Sequence, residues 1–383
     1  MEQDFPVGYH RFHSDVGLNF QLNRFLPGGR LDEFRAAAER IHGLGDWKRE
    51  MLALAEAAQV EGRLAHAACY FRTAEFFIPL GDPDKARAYR RFRELFEEVH
   101  RSDGYERSEV PFEGARLPVM RLPVEMKKDV IVVHGGFDSF MEELYLMACF
   151  LRDAGYEVIL FEGPGQGAAL TQHGLAMIAE WERPVRAVLD FFGVSQCSLV
   201  GISLGGYLAT RAAAFEPRIR RVVAFDVLDD FLDCLASARG RWLGALLRVG
   251  LWLRAARLLN AVIARQMQQN LLVAWAIPHG MHVMGVDSPY AFFAKAAQFN
   301  TTRISTLVAQ DYLLLAGAED HYVPLRQFFR QAQRLTNVRS FTGRVFTRAE
   351  QAQNHCQVGN VGLALDTIVR WLDERLAGRP IAD

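Results

Sequence analysis

A serine stands between two glycines in Gly201-Ile202-Ser203-Leu204-Gly205. The run CSLV precedes it as a strand, and YLATRAAAFEP follows it as a helix. On so sharp a turn the serine is strained, with its hydroxyl at the tip of a strand. Small residues two before and two after permit the close approach. Such a serine becomes a nucleophile only when a base takes its proton and an acid orients the base. AEDHYVP puts Asp320 in the loop after another apolar run, with Glu319 as the rival acid one residue away. Asp320 is preferred, three residues after the turn glycine Gly317 and four before Pro324. QNHCQVGN puts His355 in a loop before the last helix. The order serine, acid, histidine suits a hydrolytic triad. His321 lies on the acid's own loop and reads better as a polar loop residue.

Attack on a carbonyl also needs two N–H donors for the developing oxyanion. One belongs to Leu204, the residue after the serine. The loop HGGFDS supplies the other, for which Phe137 is favoured. A third glycine-rich stretch, FEGPGQG, invites a phosphate-cradle reading. Gly167 is followed by Ala-Ala rather than Lys-Ser, and Gly163, Gly165 and Gly167 are each two apart, so neither nucleotide pattern fits. Pro164 also removes a backbone donor. The stretch reads as a structural turn beside the site.

These loops need strands to carry them. KKDVIVVHGG, YEVILFEG, CSLVGIS, IRRVVAFD and DYLLLAG are short apolar runs, alternating with helical segments. The alternation implies an α/β fold with a doubly wound, mostly parallel sheet, whose ligands sit at the carboxyl ends of the strands. Residues 1–108 read as a helical N-terminal region, with a turn at Glu61-Gly62 and Asp82-Pro83 opening a helix. Residues 109–226 and 303–383 form the two parts of the core. Residues 227–302 interrupt the alternation as a helical cap. Ser139 with Glu142 is expected to make a capping box, and Pro184 to kink or divide the helix over 175–193.

Composition narrows the function. The 383 residues carry a formal net charge of −1, so no global field recruits nucleic acid or an anionic membrane. Arginines interrupt the most apolar stretch, 243–267, and no uncharged run reaches the ~20 residues of a spanning helix. Five scattered cysteines without a C-x-x-C pair argue against a disulfide framework and a zinc site. With no apolar leader in MEQDFPVGYHRF, the expected location is cytoplasmic. No cofactor and no metal are expected. The cap is rich in aromatics, Trp242, Trp252, Trp275, Phe292 and Phe293 among them. Trp275, His279 and His282 are taken as substrate contacts for a bulky apolar or aromatic small molecule. The N-terminal helices and the cap offer surfaces for a homodimer.

GGFDSFMEELY, FEGPGQG, GISLGGYLA, AEDHYVP and NHCQVGN, in that order, resemble the α/β-hydrolases that cleave carbon–carbon bonds. That group includes the dihydroxypseudooxynicotine hydrolase of bacterial nicotine breakdown and the fungal yellowish-green pigment hydrolases that shorten a polyketide. WAIPHGMHVMGVDSPYAFF resembles the fungal branch. The resemblance covers most of the chain and implies Ser203 as nucleophile, Asp320 as acid and His355 as base. It also implies a carboxylate beside the oxyanion loop at Asp138, where the nicotine enzyme carries the longer Glu. Asp138 is then either a substrate contact, protonated by burial and holding an enol or second carbonyl, or simply an acid at a helix start. The implied activity is cleavage of a carbon–carbon bond β to a carbonyl in a ketide or aromatic metabolite. An esterase, lactonase or acyl-transferring cyclase would use the same three residues. A non-catalytic receptor on this fold would have no need of His355.

Overall fold

A computed structural model describes residues 5–237 and 241–378; the side chain of Trp242 lies outside the described ones. The chain forms an eight-stranded sheet: β1 (Glu106–Phe112), β2 (Ala115–Leu122), β3 (Val130–His134), β4 (Glu157–Phe161), β5 (Cys197–Ile202), β6 (Ile219–Phe225), β7 (Asp311–Gly317) and β8 (Ser340–Phe346). Their spatial order is β1-β2-β4-β3-β5-β6-β7-β8. All pairs from β4 to β8 are parallel, while β2 runs antiparallel to both β1 and β4. The five strands expected from apolar runs are β3 to β7. Apart from Arg220 and Arg221 of β6 they are buried along their length, because helices cover both faces. Alternate residues feed two cores. Val132, Ile159, Leu199 and Val222 point to one face, and Ile131, Val158, Leu160 and Val223 to the other.

The three strands without an apolar run are β1, β2 and β8. β1 and β8 are edge strands with half-exposed, polar positions, so one face needs no hydrophobe. A two-residue turn, Glu113-Gly114, joins β1 to β2 with both φ angles positive, the geometry that matches strand twist.

The N-terminal region forms a helical layer with its own core around Trp47, Tyr70, Phe71 and Phe92. The expected turn at Glu61-Gly62 separates Leu44–Val60 from Leu64–Phe77. Asp82 caps Pro83–Val99 by accepting from the Asp84 amide. Two local expectations fail. The Ser139–Glu142 box does not form. Glu143 instead accepts from the Phe140 amide at 2.9 Å, because Glu142 is drawn into ion pairs with Arg93 and Arg107. The helix carrying Pro184 starts only at Glu182, so the proline sits in its first turn, where a missing N–H costs nothing. Between β6 and β7 come five helices, Phe231–Ser237, Arg241–Trp252, Ala256–Gln269, Leu271–Met284 and Pro289–Ala296.

Candidate active site

Ser203, Asp226, Asp320 and His355 lie at or beyond the carboxyl ends of β5, β6, β7 and β8. Ser203 ends its strand with φ of +63°, a conformation that β-carbon sterics disfavour. The turn is tight enough that a β-carbon on Gly201 would lie 2.0 Å from the Gly205 carbonyl oxygen. This is the strained serine turn expected of the motif.

The turn after β7 aims Asp320 inward. Its Oδ1 accepts from the amides of Tyr322 and Val323 at 2.7 and 2.9 Å, which leaves Oδ2 for His355 Nδ1 at 2.6 Å. A carboxylate only accepts, so Nδ1 carries the proton, and Nε2, 2.8 Å from Ser203 Oγ, accepts from the hydroxyl. Burial alone would push the imidazole down. The buried Asp320 carboxylate overrides it and holds His355 well above its ordinary value. Glu319, the rival acid, points away and pairs with Arg348 at the surface.

Asp226 was invisible to motif reasoning, although the VVAFD ending of β6 marks an acid at the productive edge. Fully buried, it accepts from the amides of Val227, Gly317 and Cys356 at 3.0, 3.3 and 3.3 Å. Burial, then the neighbouring Asp320 charge, pushes its carboxyl up to about 7. Asp226, Asp320 and His355 could together offer three ligand atoms to a metal. Both ring nitrogens of His355 are already engaged, so the donor set does not fit an ion.

Gly136 packs so closely that a β-carbon there would lie 2.7 Å from the Leu204 nitrogen. This brings the HGGFD loop beside the serine turn. Among the described residues neither the Phe137 nor the Leu204 amide donates a hydrogen bond. FEGPGQG supports this loop. Gln166 donates to the carbonyls of Gly135 and Gly136 at 2.8 and 2.9 Å, while Glu162 accepts from the Met141 and Ala168 amides at 3.0 and 2.6 Å. The stretch therefore braces backbone rather than cradling phosphate.

A cavity of about 1400 Å³ opens over Ser203, lined mainly by apolar side chains such as Phe20, Phe137, Phe231 and Phe292. Asp138 projects into it with 31% of its side chain accessible, and Arg24 Nη1 donates to its Oδ1 at 3.1 Å. Burial acts to raise this carboxyl, but Arg24 outweighs it and the net shift is downward. The expected protonated Asp138 is thus corrected: it is a carboxylate, an acceptor only. Its charge is answered by Arg24.

Arg24 also pairs with Glu143 at 2.9 Å. Arg72, itself buried, reaches Glu143 at 2.6 Å and the Asp138 carbonyl at 2.8 Å. Both arginines come from the N-terminal helices, and nothing in their local sequence pointed to the site. Trp275 and His279 line the cavity, stacked at 4.9 Å. Burial pushes His279 down to about 4, so it is neutral. His282 is exposed and does not line the cavity, because the helix turns it outward; the expected substrate contact is corrected. Phe292 and Phe293 line it, while Trp252 faces solvent. His321 also lines the cavity, with its ring 4.9 Å from that of Phe20.

Comparison with known proteins agrees with this architecture. The sequence pattern of the Alpha/beta hydrolase family matches residues 130–351. "Hydrolase acrC" of Aspergillus aculeatus is 30% identical over 76% of this chain and 74% of its own. "20-hydroxy-prefusarin hydrolase FUS2" of Gibberella moniliformis is 30% identical over 73% of this chain and 76% of its own. In fold, the crystal structure of the 2,6-dihydroxy-pseudo-oxynicotine hydrolase is similar, with a TM-score of 0.66 at 22% identity over 95% of this chain and 97% of that one. Among the described residues no helix is long and apolar enough to cross a membrane. The chain belongs to the alpha/beta hydrolase family and is a hydrolase.

Proposed function

We propose that Ser203, His355 and Asp320 act as nucleophile, base and orienting acid in cleaving a carbon–carbon bond β to a carbonyl. One observation carries this reading: a single buried imidazole spans the 2.8 Å to Ser203 and the 2.6 Å to Asp320. His355 takes the serine proton as Oγ attacks the carbonyl carbon. The amides of Phe137 and Leu204 hold the resulting oxyanion. The intermediate then collapses, the carbon–carbon pair leaves as an enolate, and the imidazolium returns its proton to that carbon. Water, with His355 again as base, hydrolyses the acyl-serine.

The bond is assigned to carbon rather than oxygen because the site offers more than an ester requires. An alkoxide leaving group needs only the proton on His355. An enolate needs its second carbonyl held, and Asp138 with Arg24 stands ready for it. Arg24 donates to the second carbonyl oxygen as it gains enolate charge, and the ionised Asp138, an acceptor only, holds Arg24 in place. The substrate is therefore a 1,3-dicarbonyl or its vinylogous aromatic equivalent. A cavity larger than the roughly 300–1,000 Å³ of ordinary ligand sites suits a bulky, mainly apolar ketide or aromatic molecule. The relative named as a prefusarin hydrolase supports this class of substrate. We assign residues 227–302 as the cap and 1–108 as the helical region that walls the site.

The test compares turnover of a 1,3-diketone and of p-nitrophenyl acetate, following the acid fragment by mass spectrometry. A fluorophosphonate probe reports whether Ser203 is nucleophilic, with Ser203→Ala as control. Turnover of both, with labelling, is expected. Ester turnover without any diketone cleavage removes the carbon–carbon assignment and leaves an esterase. Absence of labelling removes the triad.

A further inference from the structure

The helices Arg241–Trp252 and Ala256–Gln269 carry apolar side chains on their outer face. Trp252 is 80% exposed, Leu246 and Leu258 each 65%, and Leu253 60%. Soluble chains rarely leave so contiguous an apolar face uncovered without a reason. The charge on this face is one-sided. From Cys234 to Val286 the chain has six arginines and no acidic residue. Arg248 is tied to Asp230 and Asp233. Arg254, Arg257 and Arg265 have no carboxylate partner among the described residues. Arginines such as Arg35, Arg90, Arg116 and Arg220 are unpaired elsewhere too, but here three fall within one short stretch that has no acid to answer them. Leu246, Leu253 and Leu258 line the cavity as well as facing solvent, so the cavity that contains Ser203 reaches the surface between these helices.

We propose that this face seats on an anionic lipid bilayer, with the cavity mouth against the membrane, and that apolar substrate enters from the lipid. Exposed Leu and Trp flanked by free Arg is the composition of helices that lie in the interface plane, where Trp favours the headgroup level. A second copy of the chain fits poorly. A two-fold contact through this face would set the same unpaired arginines against one another, with no acid on the hairpin to answer them. The proposal is independent of which bond Ser203 cleaves.

The test is co-sedimentation of the full chain with two vesicle types, phosphatidylcholine alone and phosphatidylcholine with about one third phosphatidylserine. Pelleting with the anionic vesicles only is expected, weakening as salt is raised. The triple variant Arg254→Glu, Arg257→Glu, Arg265→Glu should weaken binding by at least about tenfold, since each surface cation contributes about fivefold. Trp252→Ser should also weaken it. None of these four residues lines the cavity, so turnover of a water-soluble ester should not change, and this also verifies folding. Equal binding to both vesicle types overturns the proposal, as does binding indifferent to all four substitutions. Binding to neither overturns it and leaves the face to an acidic protein. Light scattering covers the remaining case: a dimer that Trp252→Ser dissociates makes the face a self-contact, and the proposal falls.

Discussion

The two walls of the cavity are held by different means. On the sheet side, Ser203, Asp320 and His355 sit on turns that follow the parallel strands β5, β7 and β8. Each is aimed by its own backbone: a positive φ at Ser203, two amides on Asp320, a one-turn helix at His355. On the opposite side, Arg24 and Arg72 lie on helices far away in the chain. Each crosses to the HGGFD loop and its neighbour Glu143 through ion pairs and, for Arg72, a hydrogen bond to the Asp138 carbonyl, spanning between 66 and 119 residues. The difference teaches where generality and specificity reside. The sheet wall supplies chemistry that any acyl transfer can use. In the proposed reading, the helical wall supplies the charges that distinguish one substrate from another.

The largest effect should come from the sheet wall. Ser203→Ala and His355→Ala are each expected to lower kcat by on the order of 10³-fold or more, and the double variant to be hardly worse. Steady-state kinetics on one substrate decides it, and multiplicative losses would separate the two residues. Neither change should alter binding of a substrate analogue by more than about fivefold, because the far wall stays intact.

Asp320→Asn should cost about 10²-fold or more, since it disturbs the tautomer of His355. It should also move the pH profile. The Asp320 charge raises His355, so kcat/KM of the native enzyme rises with pH along the limb on which His355 loses its proton. Without the charge, the largest opposition to burial is lost and the imidazole value falls, so the acid limb should shift to lower pH. An unmoved limb would mean that Asp320 does not set the proton affinity of His355.

Next come the charges of the helical wall. Asp138→Asn and Arg24→Gln are each expected to slow diketone cleavage by about tenfold to a hundredfold, the worth of a charge-assisted hydrogen bond. Ester hydrolysis should change by less than about threefold, because the ester makes no demand on the pair. Equal losses on both substrates would make the pair a structural brace. Arg24 is the more stringent probe, since it also anchors Glu143 and a folding defect would show in both reactions.

What could be read from the chain follows the same division. Strands β3 to β7 were legible because a strand covered on both faces must be apolar throughout. β1, β2 and β8 were not, as edges and hairpins may alternate. Ser203, His355 and Asp320 were legible because their turns impose glycines, prolines and an order along the chain. Gln166 and Asp226 brace that site from stretches that do contain a signal, a glycine-rich turn and an acid at a strand end. Arg24 and Arg72 left none, because an arginine on an amphipathic helix looks the same whether it meets water or a carboxylate 119 residues away. Whole-chain charge is a coarse reading in a related way. A net of −1 averages over the whole chain and does not report that the span from Cys234 to Val286 has six arginines and no acid.

The smallest effect, and the sharpest check on the choice of acid, is expected of Glu319→Gln. Glu319 is adjacent to Asp320, and composition cannot rank them. The turn does so by direction. Asp320 Oδ1 is engaged by two amides beyond it and Oδ2 faces His355. Glu319 carries 44% of its side chain in solvent, where Arg348 holds it below its ordinary value. An exposed pair of this kind contributes little to stability and is screened by salt. Glu319→Gln should therefore leave kcat/KM within about twofold of the native enzyme. It should leave the acid limb of the pH profile in place, where Asp320→Asn moves it. An inactive Glu319→Gln beside an active Asp320→Asn would transfer the role of acid to Glu319 and require the turn after β7 to rearrange when substrate binds.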